Sequence, residues 1–290
     1  MTQGFPDLWD TRGFGRWLDA AFNGIVANWG ETLEWLFMPV LRLLLMIERG
    51  LQALPWWVVL AVLCALAWAA SRRWRMVALV AVLTLAIGLL GVWTDAMATV
   101  ALMVMATVLS VLVGIPAGIV LSRSDRLRAA ALPVLDIMQT MPIFVYLIPF
   151  VMLFGPGKIP ALLATIVFAI PPVIRLTDLG IRQVDEGVVE AARAFGGSTR
   201  QQLFTVQVPL ALPSIMAGIN QTTMMALSMV VIASMIGAGG LGYQVLQGIQ
   251  RLEVSRGLFA GLGIVFLAII FDRLAQAWGR RMQANLHRGG

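Results

Sequence analysis

The sequence predicts an all-α integral membrane protein with about seven transmembrane helices. Three observations lead there. The hydrophobic fraction is 59%, only 12% of residues are charged, and mean hydropathy is +0.86. About a quarter of the residues in a soluble domain are charged, so a chain of 290 residues could not cover a water-exposed surface with so few. The apolar residues also come in blocks that match a bilayer's hydrocarbon core, which takes about 20 helical residues.

Seven such blocks follow one another: 53–70, 75–93, 96–121, 131–154, 159–179, 211–236 and 258–278. The first is the shortest. Upstream, residues 31–52 are apolar but carry Glu31, Glu34, Arg42, Glu48 and Arg49. That pattern fits an amphipathic helix lying in the interface, with an eighth span as the competing reading. The chain divides accordingly into an external or interfacial segment (1–52), two peripheral spans (53–93) and a core (94–282). The N-terminus lacks the charged and short apolar regions of a removable signal peptide. Trp56, Trp57, Trp74 and Trp93 stand near span ends, where indole rings anchor at the interface.

The net charge of +6 would suggest nucleic acid in a soluble protein, but the basic residues are sorted by side. One set of connections and the C-terminal tail hold twelve: Arg72, Arg73, Arg75, Arg123, Arg126, Arg128, Arg182, Arg193, Arg200, Arg280, Arg281 and Arg288. The opposite connections hold three, Lys158, Arg251 and Arg256. Basic loops stay in the cytoplasm, so the C-terminus is expected inside and the N-terminus outside, with no nucleic-acid partner. Cys64 lies in an apolar block and His287 in a polar tail, and no metal, cofactor or catalytic constellation surrounds either. Pro116, Pro142, Pro149, Pro171 and Pro172 interrupt apolar blocks, and such breaks suit a transport path.

The longest cytoplasmic connection, 180–210, is patterned too regularly for a linker. Val188, Ala192 and Phe195 fall on one helical face. Asp185 and Glu186 stand at its start, where negative charge complements the helix dipole. Gly196 and Gly197 end it. Ser198 with Gln201 reads as a capping box opening a second short helix, which Pro209 closes.

Glu190-Ala191-Ala192, Gly196 and then Val206-Gln207-Val208-Pro209 resemble the EAA loop of ATP-binding-cassette (ABC) importer permeases. Val206 and Val208 replace the family's Ile and Leu. The stretches 135–155, 170–184 and 216–242 resemble the glycine betaine/proline betaine branch, which also handles choline. The resemblance implies a type I permease bundle over the core segment. It implies that the loop docks into a separate ATPase, that two permease copies pair with two ATPases, and that a periplasmic or lipid-anchored binding protein delivers solute.

Other motifs weigh less. Gly237 to Gly242 satisfies G-x-G-x-x-G, but it follows a membrane span rather than a strand, so a tight outer turn is expected. Gly157-Lys158 lacks a P-loop's spacing, and without a Walker motif ATP hydrolysis falls to a partner. Within spans, Asn220, Gln221, Thr222 and Thr223, together with Gln139 and Thr140, are candidates for the path or for helix–helix hydrogen bonds. Asp178 is expected to pair with Arg175, and Asp136 with a loop arginine. Phe144, Tyr146 and Phe150 could offer aromatic faces to a quaternary ammonium group. Rival readings are an amino-acid permease of the same architecture, a secondary transporter, which calls for midplane ion-coupling acids, and a membrane enzyme, which calls for a reactive cluster.

Overall fold

The computed structural model describes residues 11–286. His287, Arg288 and residues 1–10, on which the signal-peptide reading rests, lie outside them. The described residues are helical nearly throughout, in the order α1 (Thr11–Ala53), α2 (Trp56–Ser71), α3 (Trp74–Leu89), α4 (Trp93–Ser122), α5 (Asp125–Thr140), α6 (Ile143–Phe154), α7 (Lys158–Arg182), α8 (Glu186–Ala194), α9 (Thr199–Gln201), α10 (Val208–Ala233), α11 (Leu241–Arg251) and α12 (Val254–Leu286).

The centre is a three-helix core of α4, α7 and α10. Two glycines of α4 let α7 come this close. A Cβ on Gly118 would stand 2.6 Å from the Thr177 Cβ and 2.7 Å from the Ile174 carbonyl oxygen, and one on Gly114 would meet Val173 at 2.3 Å. Small residues drive association between membrane helices because lipid offers no hydrophobic gain for bringing them together. Ala161, Ala164, Ala169 and Ala226 extend the same close packing.

Among the described residues four helices are long and apolar enough to cross a bilayer alone: α4, α7, the run Thr199–Ile236 and α12. Two bent pairs also pass when each is taken as one span. The 131–154 block is one of these. It forms α5 and α6, bent by 94°. The break falls at Met141-Pro142, where Met141 is extended (φ −63°, ψ 136°). A residue before proline is pushed out of the helical region, and proline has no N–H to continue the ladder. Pro116, Pro149, Pro171 and Pro172, also expected as breaks, remain inside continuous helices. Pro171 and Pro172 are buried in the core, where neighbouring helices hold the backbone in place despite the lost bonds.

The 53–70 and 75–93 blocks form a hairpin of two 16-residue helices, α2 and α3. At about 1.5 Å per residue each is roughly 24 Å long, shorter than the hydrocarbon core. The hairpin packs on α12 through Ala67, Val80, Ile270 and Leu274. Residues 31–52 are part of the 43-residue α1. The C-terminal half of α1 is packed into the bundle. Leu44 is fully buried, and Val40, Ile47 and Leu51 lie against the same cluster. Glu48 pairs with Lys158 at the start of α7, and Phe37 meets Phe154 edge-on at 5.6 Å.

The 237–242 glycine run forms a turn, with positive φ at Gly237, Gly239 and Gly240. It leads into α11, which no apolar block predicts. The Leu241 N–H donates to Thr99 Oγ1 at 2.9 Å, tying the turn to α4. Gln244 donates to Asp95 at 2.8 Å and accepts from Arg256 at 2.7 Å, joining α11 to α4 and to α12.

Candidate functional site

The loop between α7 and α10 forms as the sequence pattern expects at its first three joints. Asp185 caps α8, its carboxylate accepting from the Val188 N–H at 3.2 Å. Gly196 takes φ +81°, the left-handed conformation that lets the chain leave the helix. The Ser198–Gln201 capping box is complete: Gln201 N–H donates to Ser198 Oγ at 3.3 Å, and Ser198 N–H donates to Gln201 Oε1 at 2.8 Å.

The fourth joint differs. Pro209 does not close a second short helix. After α9 the chain makes a π-helical turn over Gln202–Gln207 and continues directly into α10, with Pro209 in its first turn. The Val208 N–H reaches back to the Leu203 carbonyl, the wider π spacing. A proline needs no N–H partner in a helix's first turn, so the widened turn lets one rod run from loop to core. Single π turns recur at functional sites. Gln202 is a residue the sequence reading missed. It is buried, and its amide donates to the Gly197 carbonyl at 2.7 Å, bracing the glycine turn from behind.

α8 buries none of its residues in this chain. Glu190 and Ala191 are exposed, Ala192 is half-buried, and Phe195 is 93% exposed. Val206, Val208 and Pro209 are half-buried on the π turn and its exit. Between the loop and the ends of α4 and α7 lies a cavity of about 530 Å³, lined by Arg123, Arg182, Glu190, Arg193 and Gln202 among others. A charge network underlies it. Asp178, 2% exposed, accepts from Arg128 at 2.9 Å and from Arg182 at 3.0 Å. Arg182 also donates to Asp125 at 2.6 Å and to the Leu121 carbonyl at 3.1 Å. The ends of α4, α5 and α7 are thereby fastened together at the base of the loop.

This arrangement corrects the expected Arg175–Asp178 pair. Arg175 instead donates to Asp136 at 2.6 Å, so Asp136 is paired from within α7 and not from a loop. The helix directs the two side chains to different neighbours, and spacing along one helix gives no sign of which neighbour lies across from each.

The candidate path residues do not form one cluster in a single chain. On α10, Thr222 is fully buried, Asn220 is half-buried and Gln221 is exposed. Among the described residues the buried Asn220 Oδ1 and Thr222 Oγ1 atoms find no hydrogen-bond partner, whereas Thr223 donates to the Ile219 carbonyl at 2.8 Å. Gln139 is half-buried, and Thr140 Oγ1 donates to the carbonyls of Asp136 and Ile137 at 3.0 and 3.2 Å. On α6, Phe144 is exposed, while Tyr146 is buried edge-on to Phe168 at 6.2 Å. The Tyr146 hydroxyl donates to the Met138 carbonyl, bridging the α5–α6 bend. Two residues apart on a helix, Phe144 and Tyr146 point to different sides.

The described helices form a membrane bundle that presents a braced loop, α8 and the turn leading into α10, at one end. The chain belongs to the binding-protein-dependent transport system inner membrane component family, which it matches over residues 110–284. It is 47% identical over 272 residues to the glycine betaine/proline betaine transport system permease protein ProW of Escherichia coli (strain K12), covering 94% of this chain and 77% of that protein. It is 42% identical over 269 residues to the glycine betaine transport system permease protein OpuAB of Bacillus subtilis (strain 168), covering 92% and 89%. Among solved structures, an inward-facing MetNI methionine ABC transporter chain superposes with a TM-score of 0.59 at 20% identity, covering 64% of this chain and 93% of that one. That likeness concerns the fold alone. The chain is thus the multi-pass inner-membrane permease subunit of an ABC importer, a transport component and not an enzyme.

Proposed function

We propose that this permease carries glycine betaine, proline betaine or a closely related quaternary ammonium osmolyte such as choline. The observation that carries this is the identity of 47%, sustained over 94% of the chain, to a relative named for glycine betaine and proline betaine. The path candidates are consistent with it. Asn220, Gln221 and Thr222 are uncharged, and an uncharged lining passes a zwitterion or cation without trapping it. Tight selection then belongs to a separate periplasmic or lipid-anchored binding protein.

The working unit in this reading is a permease homodimer with two ATPase copies. The segment Glu190–Ala192 with Gly196 is the docking element. Phe195 and Val188 are exposed here and would be covered by the ATPase, and burying one such side chain contributes about 1.5–3 kcal/mol. Domain closure in the ATPase would push on α8. The Gln202 brace and the unbroken run through the π turn would carry that push into α10, where Asn220 sits. The C-terminus lies in the cytoplasm and the N-terminus outside. Residues 1–52 form an external or interfacial segment: its exposed Trp17, Trp29 and Trp35 suit a headgroup environment, and its end from Val40 onward is packed against the bundle. Residues 53–93 are peripheral and 94–282 the transport core.

The test is uptake of labelled glycine betaine, choline and proline by cells co-expressing the permease with its ATPase and binding protein. Saturable betaine uptake that requires all three is expected. Uptake of a neutral amino acid with betaine ignored would overturn the substrate assignment.

A further inference from the structure

We propose that the α2–α3 turn and the C-terminal end of α12 together form a binding site for the headgroup of an anionic phospholipid. The turn carries Arg72, Arg73 and Arg75, and α12 carries Arg280 and Arg281. The fold brings them to one place. The Arg281 guanidinium donates to the Ala69 carbonyl at the end of α2. Leu274, two turns before it, shares a packed cluster with Ala67, Val80 and Met76.

Among the described residues no carboxylate answers these five arginines. No Asp or Glu occurs between Glu48 and Asp95, nor after Asp272. Among the described residues none of the five makes an ion pair, and Asp272 is bonded to Gln276. The other basic loops differ. Arg128 and Arg182 meet Asp178 and Asp125, and the coupling loop intersperses Asp185, Glu186 and Glu190 among its arginines. Like charges gathered without counter-charge repel, so a local cluster persists where anions are supplied from outside the chain. Phosphate suits it, because guanidinium groups bind it through two parallel hydrogen bonds.

The surroundings select a lipid-borne phosphate over a free one. Trp74, 71% exposed, stands between Arg73 and Arg75, and the exposed Trp68 and Trp278 flank the group on α2 and α12. Indole rings settle at headgroup depth, and basic clusters at a helix end there hold anionic headgroups at about 1 kcal/mol per arginine. The cluster also lies where the short α2–α3 hairpin ends. A lipid headgroup held there would fasten the hairpin to α12. This inference does not depend on the transported solute. Only its assignment to the cytoplasmic leaflet rests on the orientation proposed above.

The test is native mass spectrometry of the delipidated importer complex titrated with phosphatidylglycerol or phosphatidylcholine. Wild type is expected to retain phosphatidylglycerol selectively. Arg73→Gln/Arg75→Gln should lower that affinity roughly 25-fold, at about fivefold per arginine, while Arg49→Gln/Arg251→Gln, exposed arginines elsewhere, should not change it. Arg73→Lys/Arg75→Lys, which keeps the charge, should restore most of the binding. Equal loss in the distant pair, or unchanged phosphatidylglycerol affinity in the Gln pair, overturns the site. Displacement of the lipid by inorganic phosphate at equal concentration would make it a free-anion site and overturn the headgroup reading.

Discussion

Replacing Gly196 with valine tests the proposed coupling role of the loop at the one position where the backbone alone decides the outcome. Gly196 has φ +81°, and nothing lies within 4 Å of where its Cβ would stand. Valine therefore meets no steric clash with the rest of the protein, and the whole cost is conformational. An L residue in the left-handed region costs about 1–2 kcal/mol, with a β-branched side chain toward the upper end. Against this, three hydrogen bonds hold the turn, from Gly196 N–H to the Arg193 carbonyl at 2.9 Å, from Gly197 N–H to the Ala192 carbonyl at 3.1 Å and from Gln202 to the Gly197 carbonyl at 2.7 Å. Each contributes about 1 kcal/mol net. No buried residue of α8 adds to them. The strain thus offsets much of what retains the turn, and the equilibrium constant for forming it should fall about 5- to 30-fold. The membrane bundle is untouched, so insertion and yield should equal wild type. Uptake and binding-protein-stimulated ATPase activity, measured in proteoliposomes with the partner subunits, should fall in step with the turn's remaining population. Asn tolerates the left-handed region, so Gly196→Asn should keep most of the activity. If Gly196→Val transports at the wild-type rate, or if Asn fails as badly as Val, the turn's geometry does not transmit the stroke.

Three further outcomes are expected. Asp178→Ala leaves Arg128 and Arg182 without their buried acceptor, and should lower stability by about 2–3 kcal/mol; a melting curve of the purified permease that does not shift would show the network to be idle. Thr99→Val removes the acceptor of the buried Leu241 N–H, at a cost of about 1–3 kcal/mol; hydrogen exchange should report faster opening of 237–241, and unchanged protection there would contradict the tie. For topology, in a Cys64→Ala background, Ala194→Cys should label only with reagents that reach the cytoplasm and Gln250→Cys from outside. Labelling of position 194 from outside would reverse the orientation and remove the loop from the ATPase's reach.

The order of residues alone was enough for the all-α membrane class and for the local joints of the 180–210 loop. Apolar blocks longer than 18 residues have one satisfactory conformation in lipid. The joints at Asp185, Gly196 and Ser198 are local, each set by residues within three or four positions of it, so the order of residues alone specifies them. What depended on contacts across the bundle had to wait for the tertiary structure. Pro142 and Pro171 look alike in sequence, yet one breaks a helix and the other is held straight inside the α4–α7–α10 core. Arg175 and Asp178 have ideal spacing for each other, yet each is bonded to a different element 39 to 50 residues away. Pro209 reads as a stop until the π turn before it is seen, and Gln202 gains a role only once Gly197 folds back over it. The arginines of the α2–α3 turn and of α12 are some 200 residues apart in the chain, and packing of the hairpin on α12 alone places them side by side. Local chemistry writes helices, caps and turns into neighbouring residues, whereas a partner's identity depends on which surfaces the fold presses together.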